Sequence, residues 1–428
     1  MDQGNTAFLL IAAALVLLMT PGLAFFYGGL VKAKSVISMM MMSFGAMGLI
    51  GLLWVLYGYA IAFGNGPDGA AGNPRFVGID GVLGIDLGQL GLGDAYTAAL
   101  GEQTSAYPTL AFAAFQATFA IITVALISGA IADRAKFGAW MVFAGVWATI
   151  VYFPVASWVF NFTLADGATV DGGWIAYNVG AIDFAGGTAV HINAGAAALA
   201  LSLVLGKRVG FAKGMHVPHN PPFVLLGAGL LWFGWFGFNA GSELAADGIA
   251  AIAFLNTIAA PAAAILGWLV VEKIRDGKPT SVGAASGAVA GLVAITPACA
   301  ALSPTWAIVL GLVAGAVCAV AIELKFKLGF DDSLDVVGIH LIGGLIGTLY
   351  IGIFATNVGL IYSGSLEQLG KQALAAFAVL IYSFVLSYVI GTIIQKTMGF
   401  RVKNEDEIAG IDTIVHGEEG YVLETSGR

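Results

Sequence analysis

The chain has 428 residues, of which 10% are charged and 59% apolar, with a formal net charge of −8 and a mean hydropathy of +0.90. A soluble domain carries roughly a quarter charged residues, so the composition excludes a water-soluble globule and points to a chain solvated by lipid. The acidic balance looks like an argument against a membrane-surface or nucleic-acid role, but most acids lie in loops and the tail, and their position matters more than their sum; no nucleic-acid partner is expected.

A hydrocarbon core near 30 Å needs about 20 apolar residues per helix. Such runs fall at 6–31, 36–64, 105–130, 138–162, 184–205, 221–240, 248–271, 281–302, 304–322, 335–355 and 370–399. They predict an all-α integral membrane protein with eleven transmembrane helices. The opening residues carry no basic stretch before the first apolar run, which therefore reads as a retained helix and not a signal peptide. The long connection at 65–104 is rich in Gly and Asp and is expected to be irregular. Residues 1–399 form the membrane domain, and the polar tail 400–428 reads as a solvated segment too short to be a domain. Cys299 and Cys318 fall inside apolar runs and read as small hydrophobes.

The basic residues predict the topology. Lys32, Lys34, Arg134, Lys136, Lys207, Arg208, Lys213, Lys273, Arg275, Lys278, Lys325, Lys327, Lys396, Arg401, Lys403 and Arg428 lie on one side, and only Arg75 and Lys371 on the other. By the positive-inside rule the first set is cytoplasmic, with the N-terminus outside and the C-terminus inside. Helices 1–5 then start outside and helices 6–10 inside. That is the pattern of an inverted 5+5 repeat followed by a final helix, with a pathway at the interface of the halves.

Ionisable residues within membrane spans are costly and are candidates for function. Asp183 and His191 fall at the fifth run, Asp335 and His340 at the tenth. A lone buried His reads as a core residue bonded to a carbonyl. Two, each preceded by an Asp, read as a proton-passing pair, because neutral imidazole donates at one nitrogen and accepts at the other. Asp183 precedes His191 by eight residues, about 12 Å along a helix. It reads either as a helix cap or as a carboxylate that favours a cation in the mouth. Phe115 and Phe119 share a helical face, and Trp235, Phe238 and Ser242 cluster near the end of the sixth run. Such aromatics face lipid or neighbours, or they serve a small monovalent cation by cation–π attraction beside a hydroxyl acceptor. His216 and His219 sit in a basic loop, no HExxH spacing occurs, and neither a metal nor a cofactor is predicted.

Several strings together resemble the ammonium transporter family (Amt/Rh type). They are PGLAFFYGGLV at 21–31, FQATFAIITVALISGAIADR at 115–134, DFAGGTAVHINAG at 183–195, GKRVGF at 206–211, PHN at 218–220, GWFGFNAGS at 234–242, TPACA at 296–300, DVVGIH at 335–340 and a tail GFRV…GID…HGE. The resemblance implies a non-enzymatic channel or transporter for ammonium or ammonia in the plasma membrane, assembled as a homotrimer. It implies a twin-His pore at His191 and His340, a pore gate at Phe119 and Phe238, and recruitment at Ser242. Asp183, Trp235 and Tyr152 match family positions, and Phe115 and Asp335 are placed with them as pore-lining or structural residues. Phe160 stands where the family's vestibule Trp is expected, with Trp158 and Trp174 nearby as alternatives. The resemblance also implies a PII-type signal protein docking on the basic cytoplasmic face, where the same residues otherwise meet anionic lipid. Rival readings are an Rh-like channel for neutral gas or methylammonium, an ammonium sensor signalling through the tail, and a membrane metalloenzyme.

Overall fold

A computed structural model describes residues 1–64, 75–79, 81–101, 106–161, 172–211 and 217–421. Lys213, His216 and Arg428 lie outside the described residues.

Caps and breakers divide the apolar runs into helices. Asp2 opens α1 (Gln3–Leu30) by accepting the Asn5 N–H at 2.8 Å. Next come α2 (Ala33–Ala62), α3 (Thr109–Ile131), α4 (Phe137–Phe160) and α5 (Gly187–Leu205). Asn220 accepts the Phe223 N–H at 3.1 Å, and two prolines fill the first positions of α6 (Pro221–Glu243), where no N–H is missed. Asp247 caps α7 (Gly248–Arg275) through the N–H groups of Ile249 and Ala250. Thr280 caps α8 (Ser281–Ile295) through Gly283 at 2.8 Å. The series ends with α9 (Pro304–Leu328), α10 (Val337–Phe354) and α11 (Glu367–Thr397). Among the described residues ten of these are long and apolar enough to cross a membrane, and α8 is a shorter apolar helix. Pro21 and Pro261 stand inside α1 and α7, where neighbouring helices tolerate them.

The structure departs from the sequence expectation in four places. First, α8 stops at Ile295, short of 302, because Pro297 lacks an N–H. The chain goes on in turns, with Ala298 N–H on the Ile295 carbonyl at 2.9 Å. Second, α5 and α10 start later than their apolar runs, so Asp183 and Asp335 precede the helices that carry the histidines. Gly186 (φ 112°) and Asp335 (φ 63°) hold left-handed backbone that a helix cannot contain. Third, the expected irregular loop holds a hairpin, β1 (Phe76–Ile79) antiparallel to β2 (Leu83–Asp86), and a short helix at Gly93–Leu100. Asp86 accepts the Gly88 N–H at 2.8 Å, and Arg75 pairs with Asp94.

The fourth departure is from the solvation that the tail's polar composition predicts; the family resemblance, through Gly410, Asp412, His416 and Gly417, implies instead a tail packed beneath the bundle, and the tail is packed. Val402 N–H donates to the Arg134 carbonyl and Lys136 N–H to the Phe400 carbonyl, each at 2.9 Å. Glu407, buried, accepts the Val209 N–H at 2.6 Å and pairs with Arg401 at 2.8 Å. Asp412, also buried, accepts the N–H groups of Ile37 and Ser38 at 3.0 and 2.7 Å, and so caps the start of α2 from a distance. Tyr421 reaches the His219 ring at 2.8 Å. Asp412→Ala should therefore loosen the tail, costing about 1–2 kcal/mol as the loss of an N-cap does. Limited trypsin digestion should show faster cutting at Arg401 and Lys403, with Asp412→Asn close to the parent.

Helices approach closely at small residues. A methyl group at Gly311 or Gly315 on α9 would stand 2.1 Å from the Ala260 or Ala264 carbonyl oxygen of α7. The outward faces are apolar, as with Ile252, Leu255 and Leu266 on α7 and Ile381, Val385 and Val389 on α11, the surface a bilayer requires. Next to the tail a buried ion cluster ties three segments. Arg134 donates to Ser333 Oγ and the Asp331 carbonyl at 2.5 Å each, and Arg208 bridges Asp133 and Asp331 at 3.0 and 2.9 Å. Burial lowers Arg134 to about 10, still protonated at neutral pH. Burial also pushes Asp331 up, but Arg208 and Arg134 outweigh it and hold the carboxyl below its usual range.

Candidate functional site

His191 lies in the π-helical opening turn of α5 (Gly187–Ile192), and His340 in the π-helical opening turn of α10 (Val337–Leu341). Such turns recur at functional sites because they shift a side chain out of helical register. The two rings are buried, with ring centroids 5.3 Å apart and planes 22° apart, and their Nδ1 atoms are 3.2 Å apart. One Nδ1 must donate and the other accept, so the two neutral rings adopt opposite tautomers. His191 Nε2 has no hydrogen-bond partner among the described residues.

Both rings line a cavity of about 10 Å³, room for one water-sized molecule. Its other walls are apolar: Met19, Leu23, Phe26, Ile122 and Leu126, with Trp235 and Phe238. Trp235 stacks on His191 at 5.5 Å and donates to Thr296 Oγ1 at 2.8 Å. Phe238, one of the cavity walls, stacks on Phe119, centroids 4.1 Å apart and planes 20° apart, so the rings are in van der Waals contact. Phe115 braces Phe119 edge-on at 4.9 Å. Beyond the stack, Ser242 Oγ donates to the Phe238 carbonyl at 2.7 Å, which leaves its lone pairs free to accept.

The candidate vestibule aromatics separate. Phe160 is 6.0 Å from Phe119 and packs on the Phe side of the cavity. Trp158 and Trp174 pack on each other at 5.6 Å, and Trp158 also packs on Tyr382 and donates to the Val82 carbonyl of the hairpin. Tyr152 is buried in α4 beside Trp147 and Phe153.

Asp183 accepts five hydrogen bonds, from the N–H groups of Gly186, Gly187, Thr188 and Ala189 and from the Thr188 hydroxyl. These are the orphan donors of a helix start, so the geometry is that of a cap. Asp335 does not take this part at α10. It pairs with Lys325 at 2.5 Å, and the buried Asp332 accepts the Val337 N–H at 2.7 Å instead. Asp332 and Thr296 are the two residues that sequence reasoning missed. The signal for Asp332 was present, since it stands eight residues before His340 just as Asp183 stands eight before His191.

Fold and site together define a multi-pass membrane protein with a buried histidine pair on a narrow apolar cavity. The model of the Ammonium Transporter Family matches residues 7–421, and the chain belongs to that family. The ammonium transporter of Mycobacterium tuberculosis is 55% identical, over 98% of this chain and 90% of its own. That of Bacillus subtilis is 44% identical, over 98% and 99%. Among solved structures, a sensor Amt protein superposes with a TM-score of 0.85 at 29% identity, covering 96% of this chain and 98% of its own. Saccharomyces cerevisiae Mep2 gives 0.82 at 33%, covering 94% and 91%. The chain is thus an ammonium transporter of the cell membrane and not an enzyme.

Proposed function

We propose that ammonium is drawn to a mouth at Ser242 and Phe160, loses its proton at the Phe119–Phe238 stack, and crosses past His191 and His340 as ammonia. The single observation that carries this reading is the histidine pair on a cavity with room for one small molecule, one wall of which, Phe238, stacks on Phe119. A bare cation in such walls has no replacement for its hydration. A neutral molecule fits there and exchanges hydrogen bonds with the imidazoles, which also offer a separate path for the proton. In proteoliposomes the protein should produce a saturable ammonium flux; a flux indistinguishable from that of empty liposomes overturns the reading.

Phe160 is the vestibule aromatic of this account. Phe160→Ala should raise the half-saturating ammonium concentration by about fivefold, the loss of one cation–π contact. Trp174→Ala should leave it within about twofold of the parent. Flux measured over a range of ammonium concentrations separates the two variants.

The orientation follows from the charge bias, with the tail, Arg134 and Lys207 in the cytoplasm and the hairpin outside. The parallel placement of Asp183–His191 and Asp332–His340, each His in a π-helical turn, supports the inverted repeat. Homotrimeric assembly rests on family resemblance. So does docking of a PII-type protein on the basic face, which co-purification with and without ATP, ADP and 2-oxoglutarate would test.

A second reading, an ammonium sensor, is favoured by the likeness to the sensor Amt protein. Ammonium binding without flux would establish it.

A further inference from the structure

Glu243 is the residue after Ser242 and closes the 3₁₀ turn Ala240–Glu243 that ends α6. In such a turn side chains three apart stand one above the other, so Glu243 lies over Ala240. Ala240 is buried in one cluster with Ala253, Ala298 and Cys299, and Phe184, next to Asp183, packs against that cluster. Glu243 and Asp183 thus each adjoin one apolar cluster, Glu243 as the chain neighbour of Ser242 on the last turn of α6.

Their circumstances differ. The Asp183 oxygens are engaged by five donors, whereas Glu243 has neither a hydrogen-bond donor nor an ion-pair cation among the described residues. Glu243 is half-buried, and the charged group that acts on it is another carboxylate, Asp247. Asp247 is itself engaged in capping α7. A half-buried carboxylate with no counter-charge is disfavoured unless a cation comes to it. Its neighbour Ser242 offers an acceptor, and the Phe119–Phe238 stack offers an aromatic face.

We infer that Glu243 is a specificity-determining residue of the outer mouth, its carboxylate supplying the counter-charge for a small monovalent cation held beside Ser242 before the phenylalanine stack. The inference rests on the reading of this mouth as the entrance. A charge here acts on capture and not on passage, since the cation leaves it before crossing. Its effect therefore falls on the half-saturating concentration more than on the maximal flux.

Glu243→Gln keeps the shape and removes the charge; Glu243→Asp keeps the charge. In proteoliposomes at clamped voltage and low ionic strength, the Gln variant should half-saturate at about fivefold more ammonium than the parent, and the Asp variant within about twofold. Maximal flux should stay within about twofold in both. Raising ionic strength with an impermeant salt should move the parent toward the Gln variant and leave the Gln variant where it is. An unchanged half-saturation in Glu243→Gln, or a loss confined to maximal flux, overturns the inference. No ammonium flux in the parent protein would instead overturn the entrance reading beneath it.

Discussion

Replacing His191 or His340 with Ala is expected to lower ammonium flux by about a hundredfold, the lower end of what a positioned proton-transfer group contributes, with the protein still folded. Each ring is buried, and each is the Nδ1 partner of the other at 3.2 Å, so either substitution breaks the same chain. It also widens a cavity that has room for one water-sized molecule, which admits water and hydrated cations. If the widened cavity conducts, it should do so without discrimination, and K+ should pass with ammonium. His→Asp or His→Glu should retain part of the activity, because a carboxyl group also accepts and donates a proton. Flux in proteoliposomes, read beside thermal unfolding in detergent, checks this. Unfolded variants, or folded ones with parental flux and selectivity, contradict it.

The largest stability effect is expected at Asp183. Asp183→Ala leaves the N–H groups of Gly186, Gly187, Thr188 and Ala189 without their acceptor in a buried site. With about 1–3 kcal/mol for each unsatisfied buried donor and partial relaxation, the total cost is about 3–5 kcal/mol. Asp183→Asn keeps one oxygen acceptor and should cost about half as much. If Asn instead folds like the parent yet transports no better than Ala, the negative charge itself is required. Thermal melting and flux, measured on both variants, decide between cap and charge.

Much of this site was legible in the sequence because membrane burial makes polar residues conspicuous. His191 and His340 stand out as the deepest titratable groups in long apolar runs, and the runs are legible because about 20 residues must be apolar together. The boundaries were less legible. Asp183 and Asp335 looked helical because their neighbours are apolar, whereas the left-handed backbone at Gly186 and Asp335 delays both helices. That shift hid Asp332 as the cap of α10, while Asp335, read as a pore-lining or structural residue, serves Lys325. The tail misled for a different reason. Its polar residues predict solvation, but Glu407 and Asp412 are buried against N–H groups of Val209, Ile37 and Ser38, far away along the chain. Local composition carries no record of such partners. Among the aromatics, matching from Pro154 pointed to Phe160 and left Trp158 and Trp174 as alternatives, because sequence carries no record of packing; Phe160 packs on Phe119, and Trp158 and Trp174 pack on each other.

The central claim is that ammonium surrenders a proton in order to pass the phenylalanine stack. Potassium tests it most directly, being close to ammonium in size and charge with no proton to lose. In one preparation of proteoliposomes holding the unaltered protein, flux of ammonium and of K+ is measured under the same gradient and voltage. The account predicts ammonium flux well above that of empty liposomes, with K+ flux at their level. Passage of K+ at a rate comparable to ammonium would contradict it.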